Sequence, residues 1–508
     1  MNTFHSIANQ HSAPTPLDER KLQLARRELL GGASLGLGAA AFASLVGSRD
    51  ASALVSAATP GAHAAQVPAA AALPVAPHFP AKAKRVIYLC QAGGPPQMEI
   101  FDHKPSLAAM AGKRLPDSVR GNQRLTQISA GSPPIIAPAF RPFSRHGQSG
   151  RWMSDLFPGL GSIVDEVTFI DTMNTEQINH APAITFLQTG SPIPGRPGMG
   201  AWASYGLGSA NENLPAFVVL NSTPVDLDCG QPLYEHLWGS GFLPAVHQGT
   251  QFRSGADPVL FLKNPDGMPA EQRRAMLDLI AAANQAHAAQ AADPEIAARV
   301  AQYELAYRMQ TSAPELADLS DEPDEVFDMY GPESRKPGTY ARNCILARRL
   351  AERGVRFIQL YHTGWDFHGE LPMRIAKEAR DTDRPSAALV KDLARRGLLE
   401  DTLVVWGGEF GRGVTIQAGK GKMEYGRDHH GRNFTVWMAG AGVKRGHTHG
   451  KTDDFSYNIV EDGVHIHDLQ ATILERLGFD HERLTHRSQG RDFRLTDVHG
   501  KVVGGVLA

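Results

Sequence analysis

The sequence predicts an α/β fold in which a central, mostly parallel sheet lies between layers of helices. Two observations support this prediction: short, continuous apolar runs recur along the chain, and amphipathic segments with helical spacing separate them. A hydrophobic content of 42% and a charged content of 20% are ordinary for a globular protein and exclude a disordered or fibrous chain. In such sheets ligands bind beyond the carboxyl ends of the strands, so functional residues are expected there.

The predicted strands are short apolar runs that end at polar or glycine-containing loops. The first of them runs into Gly93-Gly94, and similar runs follow in both halves of the chain. A strand that is buried on both faces needs such a continuous apolar run. The full set is Arg85–Cys90, Val167–Ile170, Ala216–Leu220, Val355–Tyr361, Leu403–Trp406 and Thr435–Met438.

Helices are predicted where apolar side chains recur every three to four residues and a glycine ends the pattern. A short helix after Asn179 is expected to stop at Gly190, and residues 268–310 are expected to form a helical insert. The segment 383–396 is predicted as a helix with Pro385 in its first turn, where proline is tolerated. The other predicted helices are His467–Leu477 and the segment that contains Leu346, Ala347, Leu350 and Ala351 and ends at Gly354.

The N-terminal part of the chain is predicted to lie outside the fold. Residues 1–50 contain Arg26-Arg27 ahead of an apolar run rich in glycine and alanine, the pattern of a twin-arginine export signal. A membrane anchor is the alternative, although the run is weaker than a good spanning helix. Residues 51–79 are rich in alanine and proline, as in a linker, and residues 80–508 are expected to form one domain. We therefore expect export to the periplasm or cell envelope and no stable membrane span in the mature chain.

Charge and cysteine content exclude two further classes of protein. Lys and Arg number 51 against 53 Asp and Glu, so the formal net charge is −2 and a globally basic nucleic-acid binder is excluded. The three cysteines, Cys90, Cys229 and Cys344, are too few for a disulfide framework or a four-thiolate zinc site. We expect no nucleic-acid partner.

Three loops beside predicted strands contain carboxylates and imidazoles framed by glycines. One follows the Val355–Tyr361 strand, one follows Leu403–Trp406, and one precedes Thr435–Met438. If these loops meet at one edge of the sheet, they supply ligands for a divalent metal, and zinc, calcium or manganese would suit the mixture. Alternatively, the aspartates cap turns and the histidines make structural hydrogen bonds. The candidate metal ligands are Asp366, His368, Glu409, Asp428, His429 and His430.

Two further residues are candidates for catalysis. His180 is expected at the N-terminus of the short helix, where the helix dipole favours an anion and should keep the imidazole neutral, able to act as base or ligand. The alternative is that Asn179 caps the helix while His180 packs nearby. Arg412 follows Glu409 closely and is expected either to hold an anion or to pair with Glu409.

A set of short motifs is spread over most of the chain. The motifs are Ala92-Gly93-Gly94-Pro95, Ile178–Ala183, Gln188-Thr189-Gly190, Pro194–Pro197, Phe252–Gly255, Gly364-Trp365-Asp366 with His368, Trp406–Arg412, Gly426–His430 and Gln489–Phe493. Together they resemble the bacterial family known as the domain of unknown function 1501 (DUF1501). The resemblance covers residues 80–508 and the export signal.

This family in turn resembles a distant branch of the alkaline phosphatase and sulfatase superfamily, which implies the same α/β architecture. Arylsulfatases have a nucleophile at a fixed spacing before a proline and a Thr-Gly pair. His180 stands at that spacing before Pro182 and Thr189-Gly190, so the resemblance places His180 at the nucleophile position. Histidine can attack phosphorus or act as a general base to water.

The chain also departs from the superfamily pattern. Glu409–Gly411 stands in place of an Asp-His-Gly motif, so the resemblance implies one retained metal ligand, Glu409, and one replaced by Phe410. The first strand ends in Gln91–Gly93, without the metal-binding aspartates of the superfamily. These departures argue against a standard two-metal phosphatase.

We therefore expect an exported hydrolase of sulfate or phosphate esters that acts with metal assistance on a small molecule or a polysaccharide. The alternative is a non-catalytic envelope protein that holds a glycan or a protein partner. The resemblance also implies a cytochrome-bearing envelope protein as a partner, because genes of the family often lie beside genes for such proteins. Convergence of the three loops and His180 on one pocket would favour the hydrolase.

Overall fold

The structure is a computed structural model that describes residues 75–123, 126, 133–224, 231–253, 257–291, 294–417 and 424–508. Its strands are β1 Arg85–Gln91, β2 Phe143–His146, β3 Arg151–Ser154, β4 Val167–Asn174, β5 Phe217–Ser222, β6 Thr250–Phe252, β7 Phe357–His362, β8 Thr402–Gly407, β9 Gly411–Gln417, β10 Gly426–His430, β11 Phe434–Ala439, β12 His447–His449, β13 Lys451–Thr452, β14 Ile459–Glu461, β15 Val464–His465, β16 His486–Ser488 and β17 Arg491–Phe493. Its helices are α1 Gln97–Ile100, α2 Asp117–Arg120, α3 Pro158–Gly161, α4 His180–Thr189, α5 Met199–Leu207, α6 Ala270–Ala291, α7 Pro294–Ala317, α8 Asp324–Tyr330, α9 Tyr340–Glu352, α10 Leu371–Arg395 and α11 Ile466–Arg476. Short 3₁₀ segments lie at Pro105–Met110, Val164–Glu166, Glu235–Trp238, Ala245–His247, Pro332–Arg335, Leu399–Asp401 and Gly504–Val506.

A nine-stranded sheet forms the centre of the described chain. Its strand order is β12-β4-β11-β8-β1-β7-β5-β6, and β15 also pairs with β4. Strand β11 runs antiparallel to both of its neighbours, whereas the other pairs are parallel. The carboxyl ends of β4, β8, β1, β7 and β5 therefore lie at one edge of the sheet, and β11 starts at that edge. The predicted mostly parallel sheet is confirmed.

The sheet is buried on both faces, which explains why its strands are apolar throughout. In β1, Ile87 and Leu89 face one apolar cluster while Val86 and Tyr88 face the other, because successive side chains of a strand point to opposite faces. Helices α9 and α10 cover the first face, and α4, α5 and α11 cover the second. The predicted helical insert is present as α6 and α7, which pack against each other.

The predicted helices differ from the observed ones mainly at their ends. The short helix begins at His180 and ends before Gly190, whose φ of 69° lies in the left-handed region that ends helices. Helix α10 begins at Leu371 and not near Asp383, so the prediction that Pro385 lies in a first turn is wrong: Pro385 is inside the helix. The first half of α10 also buries apolar side chains, which explains its extra length: Leu371, Ile375 and Ala379.

The described chain begins at Val75, so the predicted export signal in residues 1–50 and most of the predicted linker lie outside the described residues. The end of the predicted linker contacts the domain, where the backbone N–H groups of His78 and Phe79 donate to the carbonyl of Gly478. Within the described ranges, no helix combines the length and apolarity that crossing a bilayer requires. Export by the twin-arginine route and a cytochrome-bearing partner stay predictions.

Candidate metal centre

Several segments with polar side chains meet at the edge where the parallel strands end. The segment after β4 leads into α4, which begins at His180. Asp366 and His368 lie in the loop between β7 and α10, Glu409 follows β8, and His429 lies in β10. Strand β10 precedes β11, which starts at this same edge because it runs antiparallel to its neighbours. The topology of the sheet therefore brings these five side chains together.

Four of these side chains form one group, which we call the four-residue cluster: His180, Asp366, His368 and His429. Their potential ligand atoms all lie within 4.8 Å of one another. The Nε2 atoms of the three histidines, in chain order, lie 3.2, 2.9 and 3.3 Å from Oδ1 of Asp366. The side chains of Asp366 and His368 are 21% and 26% exposed, so the cluster opens to solvent.

The second ring nitrogen of each histidine, Nδ1, faces an acceptor. A carboxylate and a carbonyl oxygen can only accept a hydrogen bond, so each Nδ1 holds a proton and donates it. A neutral ring with its proton on Nδ1 has a free lone pair on Nε2, and all three Nε2 atoms face one carboxylate; a second proton on Nε2 would be donated to Asp366, at 3.3 Å for His429. The three bonds, each 2.6 Å long, join His180 to Glu409 Oε1, His368 to Gln417 Oε1 and His429 to the carbonyl of Ile178.

Burial and charge shift the pKa values of the cluster in different directions. Burial disfavours the charged form of Asp366, but contacts with the three histidines and the charge of Arg412 hold its pKa well below the usual range. Burial also opposes protonation of His180, yet contacts with Asp366 and Glu409 raise its pKa above the ordinary value. The two carboxylates therefore shift the pKa of His180 upward, opposite to the downward shift that the helix N-terminus alone would produce. Burial lowers the pKa of His429 to about 4.

The donor set fits a transition-metal ion. Three lone pairs that face a carboxylate repel it unless a cation or additional protons lie between them. Nε2 of His180 is buried and has no hydrogen-bond partner among the described residues. Imidazole nitrogens with one carboxylate oxygen suit zinc and its first-row neighbours, whereas calcium prefers about six to eight oxygen ligands.

Glu409 lies behind the four-residue cluster and supports it. Its carboxylate is fully buried and accepts the backbone N–H of Gly93, at 3.0 and 3.2 Å from its two oxygens, as well as Nδ1–H of His180. A carboxylate that holds the Nδ1 proton of a metal-binding histidine fixes the tautomer and the orientation of the ring. The geometry therefore places Glu409 as the orienting partner of His180.

Arg412 is fully buried, and each nitrogen of its guanidinium donates within the protein. It bonds Oδ1 of Asp366 at 2.6 Å, and it has no ion pair with Glu409 in the described structure. These contacts tie the turn after β1 to the loop of Asp366 and do not present the guanidinium to solvent. The backbone carbonyls that it bonds belong to Gly93, Gly94, Trp365 and Arg427.

Asp428 and His430 lie beside His429 in the chain but outside the four-residue cluster. Asp428 accepts from the hydroxyl of Thr126 at 2.7 Å, and Nδ1 of His430 lies 2.8 Å from the amide of Gln123. Successive residues of a strand point to opposite sides, so only the middle residue of the three faces the cluster. Burial lowers the pKa of His430 to about 4, which keeps that ring neutral near pH 7.

Sequence reasoning missed the partners that hold the cluster from outside. Gln231 donates from Nε2 to Oδ2 of Asp366 at 2.9 Å, and Gln417 lies at the end of β9. Ile178 contributes only a backbone carbonyl, which no sequence pattern marks. The apolar run Val414–Ile416 signals a strand before Gln417, but it is too short to predict the β9–β10 hairpin.

A protein-family model matches nearly all of the described chain. The model described as "Protein of unknown function (DUF1501)" matches residues 83–507. No curated protein shows significant similarity to the sequence.

Several solved structures are similar to this chain at low sequence identity. The PsFucS1 sulfatase from Pseudoalteromonas sp. is 13% identical with a TM-score of 0.31, covering 78% of this chain and 68% of that chain. A protein of the alkaline phosphatase superfamily from Vibrio parahaemolyticus is 10% identical with a TM-score of 0.31, covering 80% and 70%. A mutant of TAB5 alkaline phosphatase with bound Mg is 11% identical with a TM-score of 0.32, covering 78% and 97%. All three TM-scores are below 0.5, so these likenesses say nothing about the function of this chain.

Proposed function

The chain belongs to the DUF1501 family, and we propose that it is a transition-metal-dependent hydrolase of phosphate or sulfate esters. The main support is the convergence of three Nε2 lone pairs on Asp366 while each Nδ1 is already bonded to an acceptor. Imidazoles that are oriented in this way bind a metal ion with little reorganisation. We also propose that the enzyme is exported and acts on a small molecule or a polysaccharide.

The charges around the cluster favour an anionic substrate. Asp366 and Glu409 contribute one negative charge each, and buried Arg412 contributes one positive charge. A divalent cation held by the cluster would face solvent on the side of Asp366 and His368, where it would attract an anionic ester. A bound metal supplies polarisation of the ester oxygen and a more acidic water molecule.

Phe410 closes one side of the four-residue cluster. The centroid of its ring lies 4.6 Å from that of His429 and 4.9 Å from that of His180. This contact keeps water away from one side of both imidazoles. Substrate therefore reaches the centre from the side of Asp366 and His368, which are the more exposed members.

Water is the nucleophile in this proposal. Among the described residues, the hydrogen-bond partners of the four-residue cluster include no serine, threonine or cysteine. Cys90 is fully buried and burial raises the pKa of its thiol, so it is not suited to attack. His180 has Nδ1 bonded to Glu409, which leaves Nε2 as the atom that acts as ligand or base.

A non-catalytic metal-dependent binding protein is the second candidate, and one observation favours it. Four protein ligands complete a tetrahedral site, which is typical of structural metals, whereas catalytic zinc sites keep a position open. The metal would then hold the loops around a glycan or protein partner without turnover. The exposure of Asp366 and His368 favours the hydrolase, because it leaves the cluster accessible.

Hydrolysis of 4-nitrophenyl phosphate and 4-nitrophenyl sulfate by metal-depleted and zinc-reconstituted protein distinguishes the two candidates. We expect zinc to restore turnover and His180→Ala to abolish most of it, because this change removes one of the four metal ligands. His430→Gln is the matched control, because it alters a buried histidine that does not belong to the cluster. Zinc binding without turnover of either ester would favour the binding protein.

A further inference from the structure

A second group of buried polar side chains lies beneath the loop that holds Asp366 and His368. The last residues of three adjacent strands, Gln91, His362 and Ser222, are in register across β1, β7 and β5. All three are buried, and His362 is completely enclosed. None of them belongs to the four-residue cluster, and the proposed hydrolysis does not use them.

The hydrogen bonds of Ser222 and His362 determine where one proton lies. The hydroxyl of Ser222 lies 2.8 Å from the carbonyl of Tyr361, which can only accept, so the hydroxyl proton is donated there. Oγ of Ser222 must then accept from Nδ1–H of His362, at 3.0 Å. Nε2 of His362 is left to bond Oε2 of Glu378, at 2.8 Å. One proton is therefore shared between Nε2 and the carboxylate, and the pair is neutral as a unit.

The His362–Glu378 bond joins the two ends of one loop. His362 is the last residue of β7, and Glu378 lies two turns into α10, so the bond spans the connection between them. We call residues 363–370 of this connection the metal-ligand loop, since they include Asp366 and His368. A contact that joins the two ends of a loop removes much of its conformational freedom.

The metal-ligand loop also rests directly on this pair. Gly364 has a φ of 113°, and a Cβ there would lie 2.3 Å from Oε1 of Glu378, so the backbone passes against the carboxyl group. The next residue, Trp365, is fully buried and donates from Nε1 to Oε1 of Gln91 at 3.0 Å. The path of the loop just before Asp366 is therefore set by the buried polar groups beneath it.

We propose that the His362–Glu378 pair is a clamp that holds the metal-ligand loop in the conformation in which Asp366 and His368 face the other two members of the four-residue cluster. Both residues of the pair are positioning residues, because neither touches the cluster. This inference rests on the proposed metal centre. It implies that metal affinity also depends on His362 and Glu378, which do not bond any of the four ligands directly.

Zinc affinity of the full chain, measured by competition with a fluorescent chelator, tests the clamp with three variants. Glu378→Ala removes the bond and should lower zinc affinity by about 10–100-fold, the usual effect of losing an outer partner of a metal site. Glu378→Gln can donate an amide N–H to Nε2 of His362 and should stay close to the wild type. Asp392→Ala is the matched control, because Asp392 is an equally buried carboxylate on α10 that bonds Tyr330 and Arg396 instead.

Hydrogen exchange of residues 363–370 provides a second readout on the same variants. We expect faster exchange in Glu378→Ala only. Three results would each overturn the clamp. Glu378→Ala could show the zinc affinity and hydrogen exchange of the wild type, or Asp392→Ala could lose as much zinc affinity as Glu378→Ala. The third is that Glu378→Gln loses as much zinc affinity as Glu378→Ala. If the wild type itself binds no zinc, the proposed function fails, and the exchange data alone decide whether the clamp holds the loop.

Discussion

Glu409→Gln is the substitution that best separates orientation of the metal ligands from ligation itself. Glu409 Oε1 accepts from His180 at 2.6 Å, and its two oxygens share the backbone N–H of Gly93 at 3.0 and 3.2 Å. An amide has one acceptor oxygen, so a glutamine that accepts from His180 and Gly93 with that oxygen has an NH₂ group in place of Oε2, which lies 3.2 Å from the backbone nitrogen of Gly93. The variant keeps the size of the side chain but loses its charge and places two donors against each other.

Two effects of this change can be estimated. Loss of an outer partner of a metal-binding histidine typically costs about 10–100-fold in metal affinity. Since each tenfold change equals about 1.4 kcal/mol, we expect zinc binding to weaken by about 1.4–2.8 kcal/mol. The new NH₂ group, which faces the N–H of Gly93 and not an acceptor, should also cost about 1–3 kcal/mol of stability in the metal-free protein, because Glu409 is fully buried.

Competition between the protein and a chelator of known zinc affinity measures the first effect, and urea unfolding with excess chelator measures the second. Asp428→Asn is the control for zinc binding, because Asp428 bonds Thr126 and lies outside the four-residue cluster. We expect Asp428→Asn to bind zinc as the wild type does. Unchanged zinc affinity in Glu409→Gln, or an equal loss in Asp428→Asn, would refute the orienting role of Glu409.

Three further predictions concern other parts of the chain. Burial lowers the pKa of His247 to about 4, so below pH 6.5 the unfolded chain binds a proton that the folded chain does not bind, and stability falls as the pH falls. Between pH 6.5 and pH 4 the free energy of unfolding, measured with urea, should fall by about 3 kcal/mol more in the wild type than in His247→Gln. An equal fall in both proteins would contradict this prediction. Gly426→Ala should weaken zinc binding in the competition assay, because the added Cβ would lie 2.1 Å from the backbone carbon of His368; wild-type affinity would show that the loop adapts. Arg26→Lys with Arg27→Lys should retain the precursor in the cytoplasm on cell fractionation, and unchanged export would favour a general secretory signal.

The fold could be predicted from local patterns because the central strands are buried on both faces. A short, continuous apolar run such as Leu403–Trp406 indicates a strand that is buried on both faces. A glycine after a helical pattern indicates where the helix ends. The predicted helix 383–396 is shorter than α10 because a proline in a helical pattern usually indicates a first turn. Burial of both halves of α10 keeps the helix continuous through Pro385. The short β9–β10 hairpin left no comparable signal.

The position of the site could be predicted from strand ends, but its exact members could not. Carboxyl ends of parallel strands must meet at one edge, so Asp366, His368 and Glu409 were expected to lie near one another. The strand character of Gly426–His430 was missed, and with it the alternation that turns His429 toward the cluster and its two neighbours away. Partners such as the carbonyl of Ile178 depend on the three-dimensional path of the backbone, which a sequence pattern does not show.

The metal content of the purified chain tests the central claim most directly. The claim is that His180, Asp366, His368 and His429 together hold one transition-metal ion. Elemental analysis after zinc reconstitution and dialysis should give about one ion per chain for the wild type and close to none for a variant with alanine at all four positions. A wild type that retains no metal, or a four-alanine variant that is folded and retains as much as the wild type, would contradict the account.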